Sequence, residues 1–149
     1  MNQVSSAASY NEWVLPSWPS FLPVLLVYPT LWLTFVPFNE PVGVISGILL
    51  TAVVVFLMIS KSARISVTEG NLTVRHATIG VRFIRAVSIF DGQEAFAERG
   101  RNLDSRAYVH FQGSVKTLVK IDISDPQDPT PYWLFSTRQP EKLRKALGF

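Results

Sequence analysis

The stretch SFLPVLLVYPTLWLTFVPFNEPVGVISGILLTAVVVFLMIS, residues 20–60, decides the fold. Its only charged side chain is Glu40, which separates two apolar runs at residues 20–38 and 42–60. A helix rises about 1.5 Å per residue, so each run is long enough to cross a hydrocarbon core about 30 Å thick. The sequence therefore predicts a transmembrane helical hairpin, with helices at residues 20–38 and 42–60.

The charge distribution predicts the orientation of this hairpin. All 14 Lys and Arg residues lie at or after Lys61, and none lies at the hairpin tip. Cytoplasmic flanks of membrane helices carry an excess of Lys and Arg. We therefore expect a multi-pass protein of the plasma membrane with two helices and with both termini in the cytoplasm.

Residues 1–19 are expected to form an N-terminal tail. They lack the basic start and the small-residue cleavage site of a secretory signal, so we expect them to be retained. Tyr10, Trp13 and Trp18 are typical of the aromatic belt at a membrane surface.

Small residues recur in the second run at Gly43, Gly47 and Thr51. This spacing lets another helix approach closely. The approaching helix is either the first run, which we favour, or a helix of another subunit, in a homodimer or a larger membrane complex. Neither run contains Asp, Glu, Lys, Arg or His, so the pair is interpreted as an anchor without a transport site.

Residues 61–149 change from continuous apolarity to the alternation of β-strands. Runs at residues 63–67 and 72–76 surround the turn Glu69-Gly70-Asn71, which is a hairpin signal. A third run has apolar residues at even spacing, but Arg85 falls among them and indicates a bulge or a strand end.

The last part of the chain predicts two more strands and a helix. Residues 115–123 alternate, so one face is expected to meet a core and the other, with Lys116, Leu118, Lys120 and Asp122, to be mostly wet. A strand at residues 132–136 and a helix at residues 140–147 follow, and Leu143 and Leu147 would close the core. The predicted class is a membrane-anchored α+β protein, whose soluble part is a small antiparallel β-barrel or curved sheet with a C-terminal helix.

The segment DPQDPTPYWLFSTRQPEKL, residues 125–143, begins with a tightly specified turn. Each Asp places a side-chain acceptor before a proline, and each proline drives the preceding residue away from helix. The residues assigned to this structural turn are Asp125, Pro126, Asp128, Pro129 and Pro131.

This segment resembles the C-terminal signature of an actinobacterial family of small membrane proteins whose function is unknown. The resemblance covers most of the chain, including the two-helix hairpin. The hairpin from Ile65 to Arg75 is also similar to the first hairpin of bacterial pleckstrin-homology-like (PH-like) domains. The resemblance implies a fold without implying a chemistry.

Residues suited to catalysis are few. His76 and His110 are the only histidines, and both are interpreted as surface or edge residues. Ser136, beside Thr137 and Arg138, would be a hydrolase nucleophile, but capping explains a hydroxyl there more simply. Asp122, Asp125 and Asp128 lack the pattern of a calcium loop. With no cysteine in the chain, we expect a non-catalytic protein with no metal and no cofactor.

Binding is the better supported class. Residues 61–149 carry 14 basic and 9 acidic residues, a net charge of +5. An adaptor or accessory subunit of a membrane complex is expected, and the alternative is binding of anionic lipid headgroups. Nucleic acid is not expected, because the basic residues do not follow a recognisable module. The candidate binding residues are Arg75, Arg82, Arg85, Lys116, Lys120 and Trp133.

Overall fold

The computed structural model describes residues 9–149, and the chain divides into two units. Leu15–Ser62 forms a helical unit. The described residues before it and Ala63–Phe149 together form an α+β unit. Residues 1–8, which begin the predicted tail, lie outside the described part of the chain.

The helical unit is a hairpin, as the sequence predicts. Two 3₁₀ turns, Trp18–Phe21 and Pro23–Leu26, lead into α1, Val27–Phe35, and α2 is Glu40–Ser60. Asn39 caps α2, because its Oδ1 accepts the N–H of Val42 at 3.3 Å. The segments Trp18–Phe35 and Glu40–Ser60 are long and apolar enough to cross a membrane, with mean hydropathies of 1.3 and 2.8.

The small residues of α2 face α1. A Cβ on Gly47 would lie 2.9 Å from Cδ2 of Tyr28, and a Cβ on Gly43 would lie 3.2 Å from the carbonyl oxygen of Trp32. Both glycines are buried, and Thr51 is half-buried. The absence of a side chain at Gly43 and Gly47 therefore lets the two helices of one hairpin pack closely.

The first sheet of the α+β unit is an antiparallel meander in the order β1-β2-β3-β4. Its strands are β1 (Tyr10–Val14), β2 (Ala63–Thr68), β3 (Asn71–Val74) and β4 (Ala77–Gly80). Glu69 and Gly70 join β2 to β3 with φ values of 51° and 74°. A two-residue type I′ turn requires positive φ at both positions, so the hairpin predicted from Glu69-Gly70-Asn71 is confirmed.

Strand β1 lies within the segment that the sequence suggests is a tail. It pairs with β2 from Tyr10 opposite Val67 to Val14 opposite Ala63. Tyr10, Glu12 and Val14 point inward, so Tyr10 is buried in the core and does not belong to an aromatic belt. Local pattern does not reveal β1, because the 48 residues of Leu15–Ser62, which contain the hairpin, lie between β1 and its partner strand.

A fragment that begins at Lys61 therefore lacks one strand of this sheet. We expect such a fragment to be degraded faster by trypsin than the α+β unit of the full chain, because the edge of β2 and the buried side chains beneath β1 become exposed. The full chain in detergent is the reference. Equal protection of β2 in the two proteins would contradict the role of β1.

The second sheet has the order β5-β7-β8-β6. The remaining elements are β5 (Ile84–Phe90), α3 (Gly92–Arg99), β6 (Tyr108–His110), β7 (Leu118–Ile123), β8 (Tyr132–Ser136) and α4 (Pro140–Ala146). The register shifts between Ile84 and Ala86, which confirms the bulge expected at Arg85. One departure is that β6 runs parallel to β8, so the soluble part is not antiparallel throughout.

The two sheets share a main core, which α4 closes with Leu143 and Leu147. A second cluster covers the other face of the second sheet, where Leu118, Tyr132 and Leu134 pack against Ala95 of α3. The expectation of a mostly wet face on β7 is therefore wrong at Leu118, which is fully buried. All five residues of β8 are buried for the same reason, since both faces of this strand are covered.

Candidate functional site

Among the described residues, the most buried acidic side chain is Glu12 on β1. Its Oε2 accepts hydrogen bonds from the hydroxyls of Tyr10 and Thr137, each at 2.5 Å, and its Oε1 accepts the N–H of Arg138 at 2.8 Å. Burial, followed by the hydrogen bond to Glu12, raises the pKa of Tyr10, so the phenol stays protonated at neutral pH. The carboxylate thus fastens the first strand to the segment that opens α4.

Ser136 and Thr137 are fully buried and both are engaged. The Oγ of Ser136 accepts the N–H of Gln112 at 3.1 Å, and Oγ1 of Thr137 accepts the N–H of Gln139 at 3.1 Å. These bonds give the two hydroxyls the capping and turn-bonding role that the sequence suggests. A substrate has no access to either oxygen in this arrangement.

A second buried carboxylate, Glu98 of α3, lies over the second sheet. Asn102 donates to its Oε1 at 2.8 Å, and Nζ of Lys120 donates to its Oε2 at 3.0 Å. The same ammonium lies 4.2 Å from the centre of the Tyr132 ring. Burial favours the neutral acid, but the hydrogen bonds from Asn102 and Lys120 and the positive charge of Lys120 hold the pKa of Glu98 below its ordinary value of 4.5.

This arrangement makes stability depend on pH. Because the folded pKa of Glu98 is depressed, its contribution is present above the ordinary value and is lost as the pH falls through the folded pKa. We expect Glu98→Gln to lower the free energy of unfolding by about 1–2 kcal/mol at neutral pH, as for a hydrogen bond to a charged group, and by progressively less as the pH falls below 4.5. Chemical denaturation of the full chain in detergent at several pH values measures the difference.

The control for this experiment is Glu69→Gln, which changes an exposed glutamate in the β2–β3 turn. It should leave the pH profile of the wild type unchanged. A loss for Glu98→Gln that stays constant from neutral to acid pH would contradict the ion pair with Lys120.

The two histidines do not form part of a polar cluster with the hydroxyls. His76 is exposed in the β3–β4 turn. His110 is half-buried on β6, and burial, with the nearby charge of Arg75, lowers its pKa. The acidic groups are similarly separate, since no three His, Asp or Glu side chains within residues 9–149 are grouped as metal ligands.

The acidic loop between β7 and β8 is a pair of turns closed by side chains. Oδ1 of Asp125 accepts the N–H of Gln127, and Oδ1 of Asp128 accepts the N–H of Thr130, each at 2.9 Å. The hydrogen bond from Thr130 holds the pKa of Asp128 below its usual range. The prolines at positions 126, 129 and 131 fix φ between these bonds, in the turn that the sequence predicts.

The predicted basic binding residues are dispersed. Arg82 and Arg85 are exposed near the start of β5. Lys116 is exposed near the other end of β5, two residues before Leu118, which pairs with Phe90. The paired part of β7 is six residues long, so Lys116 lies about 20 Å from Arg82 and Arg85. Arg75 lies in the β3–β4 turn, and Lys120 is held by Glu98. Among these cations only Arg82 and Arg85 form an exposed pair.

Trp133 is 4% exposed and belongs to the main core. Its ring centre lies 5.0 Å from that of Tyr108, at an interplanar angle of 48°. The neighbouring Tyr132 is buried as well, in the second cluster. Trp133 therefore has no surface for a lipid or a partner in this fold.

The buried carboxylates Glu12 and Glu98 are the main polar features that sequence reasoning missed. Glu12 has the same parity as Tyr10 and Val14, which is the only local sign that it points inward. Its partners Thr137 and Arg138 lie at the other end of the chain. Glu98 and Asn102 are four residues apart, the spacing of neighbours on a helix face, but Lys120 joins them only through the sheet.

These features define an α+β protein with two four-stranded sheets, in which an apolar helical hairpin is inserted between the first two strands. Its buried polar groups hold distant segments of the chain together. The chain belongs to a family of proteins of unknown function, DUF3093, which it matches over residues 9–147. None of the curated proteins and none of the solved structures compared with the chain matches it.

Proposed function

We propose that this chain is a non-catalytic integral protein of the plasma membrane, which presents its α+β unit in the cytoplasm as an adaptor or accessory subunit of a larger membrane complex. The observation that supports this most strongly is the insertion of an apolar hairpin between two adjacent antiparallel strands. The chain leaves the sheet at Val14 and returns to it at Ala63, directly opposite. Both connections to the hairpin are therefore made from one sheet.

This topology favours the same orientation as the charges. A hairpin that starts and ends in one sheet places both of its outer ends on one side of the membrane. Lys61 and Arg64 follow α2 directly, and the tip around Asn39 has no Lys or Arg. The α+β unit is accordingly assigned to the cytoplasm.

The fold of the α+β unit is proposed to be PH-like. Two sheets that share a core, followed by a C-terminal helix whose Leu143 and Leu147 enter that core, support this assignment. Domains of this type serve many functions, so the fold is compatible with binding without identifying the ligand.

The adaptor proposal is tested by partner recovery. The full chain carrying a C-terminal tag is extracted from its native membrane in a mild detergent, and the proteins that remain bound are identified by mass spectrometry. The control is a variant whose residues 15–62 are replaced by an unrelated two-helix hairpin. We expect a partner recovered in near-stoichiometric amount with the wild type and in much smaller amount with the control.

Two results would overturn the proposal. One is a C-terminal tag that proteases outside intact cells remove, because the α+β unit would then lie on the other side. The other is recovery of the wild type without a stoichiometric partner after both detergent extraction and cross-linking in the membrane.

A second function, binding of anionic headgroups, is favoured by one observation. Arg82 and Arg85 are exposed, only two residues lie between them, and neither forms an ion pair with an acidic side chain of residues 9–149. Each well-placed cation near an anionic leaflet contributes about 1 kcal/mol. This site does not include Lys120, because it is paired with Glu98, or Trp133, because it is buried.

The lipid proposal is tested with the full chain in a neutral detergent. Added phosphatidylglycerol should raise the melting temperature more than phosphatidylcholine does, and salt should reduce the effect. The variant Arg82→Gln/Arg85→Gln should lose most of this increase, whereas Lys145→Gln, which changes an exposed cation on α4, should keep it. Equal losses in the two variants would contradict a specific site.

A further inference from the structure

The first sheet carries its cations at the end from which the hairpin departs. The chain leaves this sheet at Val14 and returns to it at Ala63. One pair further along, Trp13 and Arg64 stand opposite each other on β1 and β2, and both side chains are exposed. Arg75, in the β3–β4 turn, donates its N–H to the carbonyl oxygen of Arg64 at 2.9 Å, so it lies at the same end.

The acidic residues of this sheet lie elsewhere. Glu12 points inward, and its carboxylate accepts three hydrogen bonds. Glu69 lies in the β2–β3 turn at the opposite end, about 20 Å away along the six residues of β2. Neither Arg64 nor Arg75 forms an ion pair with an acidic side chain of residues 9–149. The hairpin end of the first sheet therefore combines positive charge with an exposed indole.

A short connection limits how far this end of the sheet can lie from a membrane that contains the hairpin. The 21 residues of α2 rise about 30 Å, the thickness of a hydrocarbon core, so Ser60 would lie at the boundary of that core. Only Lys61 and Ser62 separate Ser60 from Ala63, the first residue of β2. An extended chain spans at most about 3.6 Å per residue, so Ala63 would lie within about 11 Å of that boundary, among the lipid headgroups.

We propose that the hairpin end of the first sheet rests on the membrane surface, with Trp13 at the level of the headgroups and with Arg64 and Arg75 against the phosphates of anionic phospholipids. This inference rests on the membrane placement of the hairpin proposed above. The guanidinium group matches the geometry of phosphate, and an indole is suited to a boundary between an apolar and a wet environment. The α+β unit is then held in one orientation, with the β2–β3 turn directed away from the membrane.

Lipid binding by the other exposed pair of cations, Arg82 and Arg85, would turn the sheet the opposite way. The N–H of Val81 donates to the carbonyl oxygen of Gly70 at 2.8 Å, so Arg82, the next residue, lies beside the β2–β3 turn. Contact of Arg82 with headgroups would bring that turn to the membrane. The two contacts therefore predict opposite orientations of the first sheet, and a probe at each end of the sheet distinguishes them.

The test compares two labels in the full chain, reconstituted in vesicles of phosphatidylglycerol and phosphatidylcholine. The chain has no cysteine, so His76→Cys and Asn71→Cys each provide a single site for a fluorophore. Both residues are exposed, His76 in the β3–β4 turn and Asn71 at the other end of β3. A spin label on the lipid headgroup should quench the fluorophore at residue 76 more strongly than that at residue 71. The difference should shrink in high salt and in vesicles of phosphatidylcholine alone.

Substitutions in the His76→Cys protein test the contact itself, since the short connection alone keeps this end near the membrane. Arg64→Gln should lower the ratio of bound to unbound orientations about fivefold, the equivalent of about 1 kcal/mol for one cation, and should weaken the quenching accordingly. Trp13→Ala should weaken it as well. The control Lys145→Gln, which changes an exposed cation on α4, should leave it unchanged. Melting temperatures close to that of the parent protein verify that these exposed substitutions leave the fold intact.

Three results would overturn the inference. Equal quenching of the two labels would show that the hairpin end is not held at the surface, and stronger quenching at residue 71 would favour contact through Arg82 and Arg85. Quenching that neither Arg64→Gln nor Trp13→Ala changes would show that these side chains make no contact with lipid. A chain that does not float with the vesicles would overturn the membrane placement as well, which separates that failure from the other three.

Discussion

The Trp133→Ala protein is expected to lose about 3–5 kcal/mol of the free energy of unfolding of the α+β unit. Trp133 on β8 is 4% exposed, packs on Tyr108 and stands opposite Ile121 in the sheet. Removal of the indole leaves a cavity where both sheets meet, and the neighbours on three strands cannot all move to fill it. Chemical denaturation of the full chain in detergent, followed by near-ultraviolet circular dichroism, measures the loss.

The control for Trp133 is Trp13→Ala, because Trp13 is 54% exposed on the outward face of β1. We expect its effect to stay within about 0.5 kcal/mol. Where Trp133→Ala is too unstable to purify, Trp133→Phe fills more of the space and should still be less stable than the Trp13 variant. Equal stability of the Trp133 and Trp13 variants would contradict the placement of Trp133 in the core.

Glu12→Ala is expected to have the next largest effect, a loss of about 3 kcal/mol. Three donors, the hydroxyls of Tyr10 and Thr137 and the N–H of Arg138, point at this carboxylate. An unsatisfied buried donor costs about 1–3 kcal/mol, but the two hydroxyls retain some freedom to rotate toward other acceptors. Thermal unfolding of the full chain should show a melting temperature lower by about 10–20 °C.

Two further variants test whether the loss of stability comes from the acceptor oxygens of Glu12. Glu12→Gln keeps the shape of the side chain and one acceptor oxygen, so it should lose less stability than Glu12→Ala. Asn11→Ala changes the adjacent residue, which is exposed on the outer face of β1, and should be close to the wild type. If Glu12→Ala and Asn11→Ala have the same melting temperature, Glu12 does not fasten β1 to the start of α4.

The local sequence pattern was sufficient to predict features that depend only on residues close together in the chain. The parity of Arg85 predicts the bulge that the pairing with β7 contains. Glu69 and Gly70 predict a tight turn because they tolerate positive φ. Leu143 and Leu147, four residues apart, predict which face of α4 enters the core.

The local pattern did not predict features that depend on contacts with distant segments of the chain. Strand β1 has an alternating pattern of only five residues, and its partner is separated from it by the whole hairpin. On β7, the alternation of Lys116, Leu118 and Lys120 suggests a wet face, but α3 covers Leu118. A strand covered on both sides loses the contrast between its faces, so the sequence does not show that it is buried.

The insertion of the hairpin between β1 and β2 also determines the order of assembly during translation. The ribosome makes β1 first, yet the strand that pairs with it emerges only after the entire apolar segment has been synthesised. The contacts of Glu12 form later still, because its partners Thr137 and Arg138 are synthesised 125 and 126 residues after it. Pairing of β1 with β2 therefore cannot begin until the whole apolar hairpin has been synthesised, so an early strand stays without its partner while the most apolar part of the chain is made.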